Sequence, residues 1–178
     1  MNTIFMSICI ILSLSSSNKT IFDFNSDATI SQWRVVDDVV MGGRSQGNIK
    51  INKEGNGVFY GTVSLENNGG FSSLRHRFST IKVTDFKHVV IRVKGDGNTY
   101  QFRLKDEVYA PHSFISFFQT NGAWQTIRIK LSDMYPSFRG RKLNMNNFSS
   151  ESIQELAFLI GNKKAQNFTL EIDKIYLE

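Results

Sequence analysis

An all-β fold, an antiparallel β-sandwich of jelly-roll type, is what this sequence predicts, and three observations carry the prediction. Apolar residues recur with a period of two through most of the chain, turns rich in Gly, Asn and Asp punctuate it at short intervals, and almost nothing has the 3.6-residue period of an amphipathic helix. About ten short strands in one chain suffice for two sheets around a shared core, with a barrel as the alternative closure.

In chain order, each element follows from a local pattern. Ile4–Leu14 is an apolar run broken only by small Ser and Cys, followed by Ser15-Ser16-Ser17, with no charged side chain before Lys19. Residues 1–20 therefore read as a signal peptide or an apolar N-terminal segment, and residues 21–178 as one domain. Strands are expected at Val58–Leu65 and Phe71–Phe78, paired around Asn67-Asn68-Gly69-Gly70, and then at Val89–Lys94. Tyr100–Lys105 alternates, and Trp124–Leu131 sets Ile127, Ile129 and Leu131 against Arg128 and Lys130. Phe114–Phe118, Leu156–Ile160 and Phe168–Leu177 supply further strands. Gly95-Asp96-Gly97-Asn98 permits positive φ and Asn121-Gly122 is a two-residue hairpin signal, so meander-like connections are expected. Helix starts are plausible only at Ser26–Gln32 and Ser149–Gln154, each as a single turn.

Composition narrows the function classes. Hydrophobic residues make up 40% of the chain and include 15 Phe, which excludes disorder of the whole protein. No apolar stretch reaches the ~18 residues of a spanning helix. A single cysteine, Cys9, excludes an internal disulfide and a cysteine-rich zinc site. The formal net charge of +5 is concentrated between Phe71 and Lys105, where Arg75, Arg77, Lys82, Lys87, Arg92, Lys94, Arg103 and Lys105 face only Asp85 and Asp96. Without a zinc-finger spacing, an RNA-recognition motif or a basic helix, this segment reads as a solvated sheet face and not as a nucleic-acid surface. His76, His88 and His112 are isolated, and neither Gly42-Gly43 nor Gly69-Gly70 has phosphate-loop spacing. The sequence thus points to no catalytic residue, no metal and no cofactor.

Four clusters crowd polar residues against glycine and aromatic residues. In Trp33–Ser45 the adjacent Asp37 and Asp38 sit among valines, with Arg44 following. On a strand they would point to opposite faces, so at least one should accept loop N–H groups, meet an arginine or reach solvent. Glu66, Asn67 and Asn68 place side-chain oxygens beside Gly69-Gly70, a composition for a cation or sugar hydroxyl and equally for an ordinary hairpin. In Tyr135–Lys142, Arg139 and Arg141 flank Gly140; they could grip a carboxylate or phosphate, or reach back to Asp37, Asp38 or Glu66. Glu171-Ile172-Asp173 alternates as a final strand with one wet face would. Trp33 and Trp124 read as core or rim anchors.

The combination of Trp33, Val36-Asp37-Asp38-Val39-Val40-Met41-Gly42-Gly43, Gly61 through Phe71 and Phe138-Arg139-Gly140-Arg141 resembles the complex I intermediate-associated protein 30 family. The resemblance continues through Val93–Gly97, Trp124-Gln125 and Leu170–Asp173, and so spans Ile21 to Glu178. It implies a galactose-binding-domain-like sandwich without established catalytic residues. In mitochondrial members it implies a role in assembling respiratory complex I (NADH:ubiquinone oxidoreductase).

The expected function is therefore a non-catalytic binding or assembly-factor domain, monomeric, without a transmembrane span in the domain and without nucleic acid as a partner. It would hold a protein partner through Asp37, Asp38, Arg44, Glu66, Asn67, Asn68, Arg139 and Arg141. The alternative is an exported carbohydrate-binding module with Trp124 and Tyr135 as aromatic contacts. An enzymatic version would pair Asp38 with Glu66 as glycosidase carboxylates. The N-terminal segment favours an exported or periplasmic location, with a cytoplasmic or membrane-associated one as the alternative.

Overall fold

The structure, a computed structural model, describes residues 18–178. The expected signal-like segment lies outside the described residues apart from its last three positions. Its strands are β1 (Lys19–Asp23), β2 (Trp33–Asp37), β3 (Gln46–Ile51), β4 (Gly57–Val63), β5 (Ser72–Lys82), β6 (His88–Gly95) and β7 (Thr99–Lys105). They continue with β8 (Ser113–Gln119), β9 (Trp124–Lys130), β10 (Tyr135–Phe138), β11 (Arg141–Lys142), β12 (Ser152–Ile160) and β13 (Gln166–Leu177). The first strand begins ahead of Ile21 because Lys19 and Thr20 pair with Leu177 and Tyr176.

These strands form the antiparallel sandwich that the alternation predicts. A seven-stranded sheet runs β11-β10-β8-β7-β12-β5-β2, and a six-stranded sheet runs β3-β4-β13-β6-β9 with β1 also on β13. The expected meander is not what connects them. The segment around Asn67-Asn68-Gly69-Gly70 is no hairpin: β4 pairs with β3 and β13, whereas β5 pairs with β2 and β12, so the chain crosses from one sheet to the other. Asn121-Gly122 likewise joins β8 of one sheet to β9 of the other, and Gly95–Asn98 takes β6 to β7 across the sandwich. A turn composition signals a reversal; which sheet receives the next strand depends on which apolar face it must cover.

No α-helix occurs among the described residues, only 3-10 turns at Asp38–Met41, Glu66–Asn68 and Leu131–Asp133. The two expected helix starts are therefore corrected. Ser26-Asp27 belongs to a turn closed by Ala28 N–H on Asn25 C=O, and Ser152 and Ile153 enter β12 opposite Lys82 and Ile81. Ile153 is completely buried, which a strand edge facing the core accomplishes and a solvated turn would not.

The core fills the space between the sheets by alternation. Phe59 and Val63 of β4, Val89, Ile91 and Val93 of β6, and Phe168, Leu170 and Ile172 of β13 face Leu74 of β5, Phe102 and Leu104 of β7, and Leu156, Phe158 and Ile160 of β12. Asp173 is an extra residue in the β13–β6 register, and this bulge returns Ile175 and Leu177 to the core face. On the solvent face of the same strand Glu171 pairs with Lys94 at 3.1 Å and Asp173 with Arg92 at 2.8 Å. Part of the basic segment is thereby neutralised.

At one edge of the core His76 stacks on Trp33, with centroids 4.6 Å apart, and meets Phe22 and Phe78. Burial lowers the His76 pKa below its usual 6.5, and the Gln32 carbonyl near Nδ1 only partly opposes this. Between the two values the unfolded chain binds a proton that the folded one refuses, so this stability is present above pH 6.5 and is lost as pH falls. Thermal melts at pH 7 and pH 5 should show a smaller acid-induced drop for His76→Phe than for the wild type. Equal drops would remove His76 as the cause.

Candidate functional site

The Asp37-Asp38 pair sits where β2 ends, so the alternation that would send the two side chains to opposite faces has already stopped. Both carboxylates turn into the seam between the sheets. Asp37 accepts from Gly47 N–H of β3 at 3.0 Å and Ser72 Oγ–H of β5 at 2.5 Å, one donor from each sheet. Asp38 is 0% exposed and accepts from Ser45 N–H (3.0 Å), Ser45 Oγ–H (2.6 Å), Gly70 N–H (2.5 Å) and Phe71 N–H (3.2 Å). Burial pushes its pKa up, but the bond from the Ser45 hydroxyl and those from the Gly70, Ser45 and Phe71 amides together hold it below the ordinary 3.8.

The glycine pairs around it have a physical reason. A Cβ built on Gly43 would overlap the Asp38 carboxyl carbon, and one on Gly69 would lie 2.5 Å from Asp38 Oδ2. The two glycine-rich motifs noted in the sequence are the walls of one buried carboxylate site.

Around this anchor the loops before β3 and before β5 are tied together. Asn67 Nδ2–H donates to Gly42 C=O at 3.0 Å, Ser64 N–H donates to Ser45 Oγ at 3.0 Å, and Arg44 pairs with Glu66 at 2.9 Å. Arg44 and Glu66 remain about two-thirds exposed, and Asn67 and Asn68 are exposed with positive φ. Arg139 and Arg141 lie elsewhere, on the β10–β11 turn. They pair with none of Asp37, Asp38 and Glu66, whose partners are those already given, and Arg139 instead lies over the ring of Phe138 at 5.3 Å. Asp37, Asp38, Arg44, Glu66, Asn67 and Asn68 thus form one assembly, with Arg139 and Arg141 apart from it.

Between these two loop groups lies a cleft of about 430 Å³ on the outer face of the seven-stranded sheet. Gly69, Gly70 and Phe71 border one side, Phe138, Arg139 and Gly140 another, and Arg75, Gln101, Arg103 and Leu159 contribute to its surface. Strand register builds its centre: Arg34, Arg75, Ala157, Arg103, Ile115 and Tyr135 occupy one row across β2, β5, β12, β7, β8 and β10. Glu155, 3% exposed, is held by Arg77 Nε at 2.7 Å and lies 4.0 Å from Arg75. Lys105 is buried and donates to the Ala110 carbonyl.

Arg103 is half-buried and hydrogen-bonds Gln101 Oε1 from Nε at 3.0 Å and from a terminal nitrogen at 2.6 Å. Burial, reinforced by the charge of Arg75, lowers its pKa to about 10, so it stays cationic at neutral pH. Sequence reasoning missed Arg75, Gln101 and Arg103 as site residues. Their signal was the polar phase of Phe71–Phe78 and of Tyr100–Lys105 within the basic segment, which reads as a solvated face until β12 brings β5 and β7 together.

The aromatic residues expected for sugar contact are otherwise engaged. Trp124 lies on the other sheet beneath Arg92 (5.3 Å), and Lys142 covers Tyr135 (5.1 Å), while Trp33, expected as a core or rim anchor, is buried. No helix among the described residues is long and apolar enough to cross a membrane.

Comparison with known proteins adds three findings. The family model described as Complex I intermediate-associated protein 30 matches residues 22–172. Mitochondrial proteins of that name from Drosophila melanogaster and Mus musculus are 25% and 24% identical, over 89% and 88% of this chain. The chain spans 62% and 55% of the length of those relatives. Among solved structures, the family 11 carbohydrate-binding module from Clostridium thermocellum, in complex with a beta-1,3-1,4-mixed-linked tetrasaccharide, superposes with a TM-score of 0.67 at 17% identity. That match covers 90% of this chain and 94% of the module. An exo-beta-agarase matches with a TM-score of 0.58 at 13% identity, over 90% of this chain and 25% of the agarase. These likenesses concern the sandwich fold.

Proposed function

The chain belongs to the Complex I intermediate-associated protein 30 family, and from that premise we propose that it is a non-catalytic assembly-factor domain that holds a protein partner, an intermediate of respiratory complex I. The observation that carries this reading is the rigid loop pair: exposed Arg44, Glu66, Asn67 and Asn68 stand on a buried Asp38 anchor, across the cleft from the exposed Arg139 and Arg141. A surface ordered before binding loses less conformational entropy when a partner docks.

The same geometry argues against the glycosidase alternative, because Asp38 has no solvent-facing oxygen with which to act on a substrate. The engaged Trp124 and Tyr135 favour a protein over a neutral sugar as the occupant.

Affinity capture with the tagged full chain, expressed in its cells of origin, tests the reading. Complex I subunits should be enriched, and the double substitutions Arg44→Ala/Glu66→Ala and Arg139→Ala/Arg141→Ala should each reduce that enrichment by at least about 5-fold. Thermal midpoints should stay within about 2 °C of the wild type, since exposed ion pairs contribute little. No enrichment of complex I subunits would overturn the partner assignment; undiminished enrichment with both variants would overturn the loop assignment.

A further inference from the structure

The cleft has an electrostatic imbalance that its own chain does not resolve. Arg75 and Arg103 stand in one row on either side of Ala157, and both line the cleft. Each guanidinium carries a fixed charge and a planar set of donors suited to a carboxylate. Arg103 forms no ion pair among the described residues and has only the neutral Gln101 amide oxygen as acceptor. Glu155 is committed to Arg77 and reaches Arg75 only at 4.0 Å. Arg139 adds an exposed cation at the rim, also without an ion pair among the described residues.

Like charges held together in a partly desolvated cleft disfavour one another, and an entering anion relieves that cost while satisfying the free donors. The apolar surface of Phe71 and Leu159 beside these cations suits a segment that carries both aliphatic and acidic side chains. On the opposite sheet Arg92 and Lys94 are already paired with Asp173 and Glu171.

We propose that the cleft is the docking site for an acidic peptide segment of a protein partner, with an Asp or Glu carboxylate received between Arg75 and Arg103. This rests on the reading of the chain as a partner-holding domain and names the partner's chemistry at the cleft. Part of the attraction is screened, so binding weakens as ionic strength rises.

The test uses the full chain and a fluorescently labelled peptide of alternating Glu and Leu, read by anisotropy at low and at physiological salt. A galacturonate tetramer is titrated separately, its binding read directly by calorimetry. The expected result is saturable binding that Arg103→Met and Arg75→Gln each weaken by about 10-fold or more, while Arg92→Gln on the other sheet leaves it unchanged. Arg103→Met keeps an unbranched apolar side chain in the floor, and Arg103→Lys, which keeps charge without the planar fork, should recover part of the affinity.

Absence of binding, or equal weakening by Arg92→Gln, would overturn the proposal. So would binding of the tetramer in the absence of peptide binding, since that assigns the cleft to an acidic saccharide. If complex I subunits are not captured yet Arg103-dependent peptide binding is present, the family-based role fails and the cleft stands. If they are captured and the arginine variants bind peptide normally, the cleft assignment fails alone.

Discussion

Asp38→Asn is expected to lower the thermal midpoint by about 6–20 °C, corresponding to about 3–5 kcal/mol at 2–4 °C per kcal/mol for a chain of this size. The substitution keeps the shape of the side chain but replaces a charged acceptor pair with one oxygen and one NH2. The Gly70 and Phe71 amides and the Ser45 amide and hydroxyl then compete for a single acceptor in a site with no water access. Buried donors left without a partner cost about 1–3 kcal/mol each. The effect should depend on pH with a definite sign. Because the folded-state pKa of Asp38 is lowered, its stabilisation is present above the ordinary 3.8 and is lost as pH falls through the folded value. Denaturant titrations should therefore show the gap between wild type and variant narrowing from pH 7 to pH 3. A gap that stayed constant would mean that the carboxylate charge contributes nothing, and a variant as stable as the wild type would remove the anchor altogether.

Trp33→Ala should be comparably damaging, at about 3–5 kcal/mol, whereas Trp124→Ala should cost under about 1 kcal/mol. Trp33 is 5% exposed and stands at a junction of both sheets: Phe22 of β1 meets it at 5.2 Å, Phe24 at 5.1 Å and His76 of β5 at 4.6 Å. Truncation would open a cavity between β1, β2 and β5, where these rings meet. Its indole N–H has no hydrogen-bond partner among the described residues, so Trp33→Phe removes packing area but no bond and should cost clearly less than Trp33→Ala. Trp124 lies half-exposed beneath Arg92 on the face of the six-stranded sheet. Equilibrium unfolding of the three variants distinguishes the two tryptophans; similar losses at both positions would contradict this division.

The two predictions mark where sequence reading succeeds and where it stops. The sandwich was legible because a strand's inward and outward faces are written in its own period of two: Phe102 and Leu104 against Gln101 and Arg103 already separate core from surface. The family motifs were legible as well, since they are contiguous strings. That at least one of Asp37 and Asp38 needed loop donors, an arginine or solvent could be argued from the cost of burying a carboxylate. That the donors would be Ser45, Gly70 and Phe71 could not, because they come from loops joined only when β3 and β5 enter different sheets.

The chain by itself therefore determined β4 to β9, β12 and β13 with their buried faces, and the family, whereas β1, β2, β3, β10 and β11 were not among the expected strands. Tertiary structure decided the partners across each strand. Gly69-Gly70 became a wall of the Asp38 site and not a hairpin tip, and Arg75 and Arg103 became neighbours because β12, far along the chain, enters between β5 and β7. The physical reason is that alternation records only whether a side chain meets water or core, a local property. Strand order and register are set by which backbone edges pair and which apolar faces close on one another, and those choices belong to the whole chain.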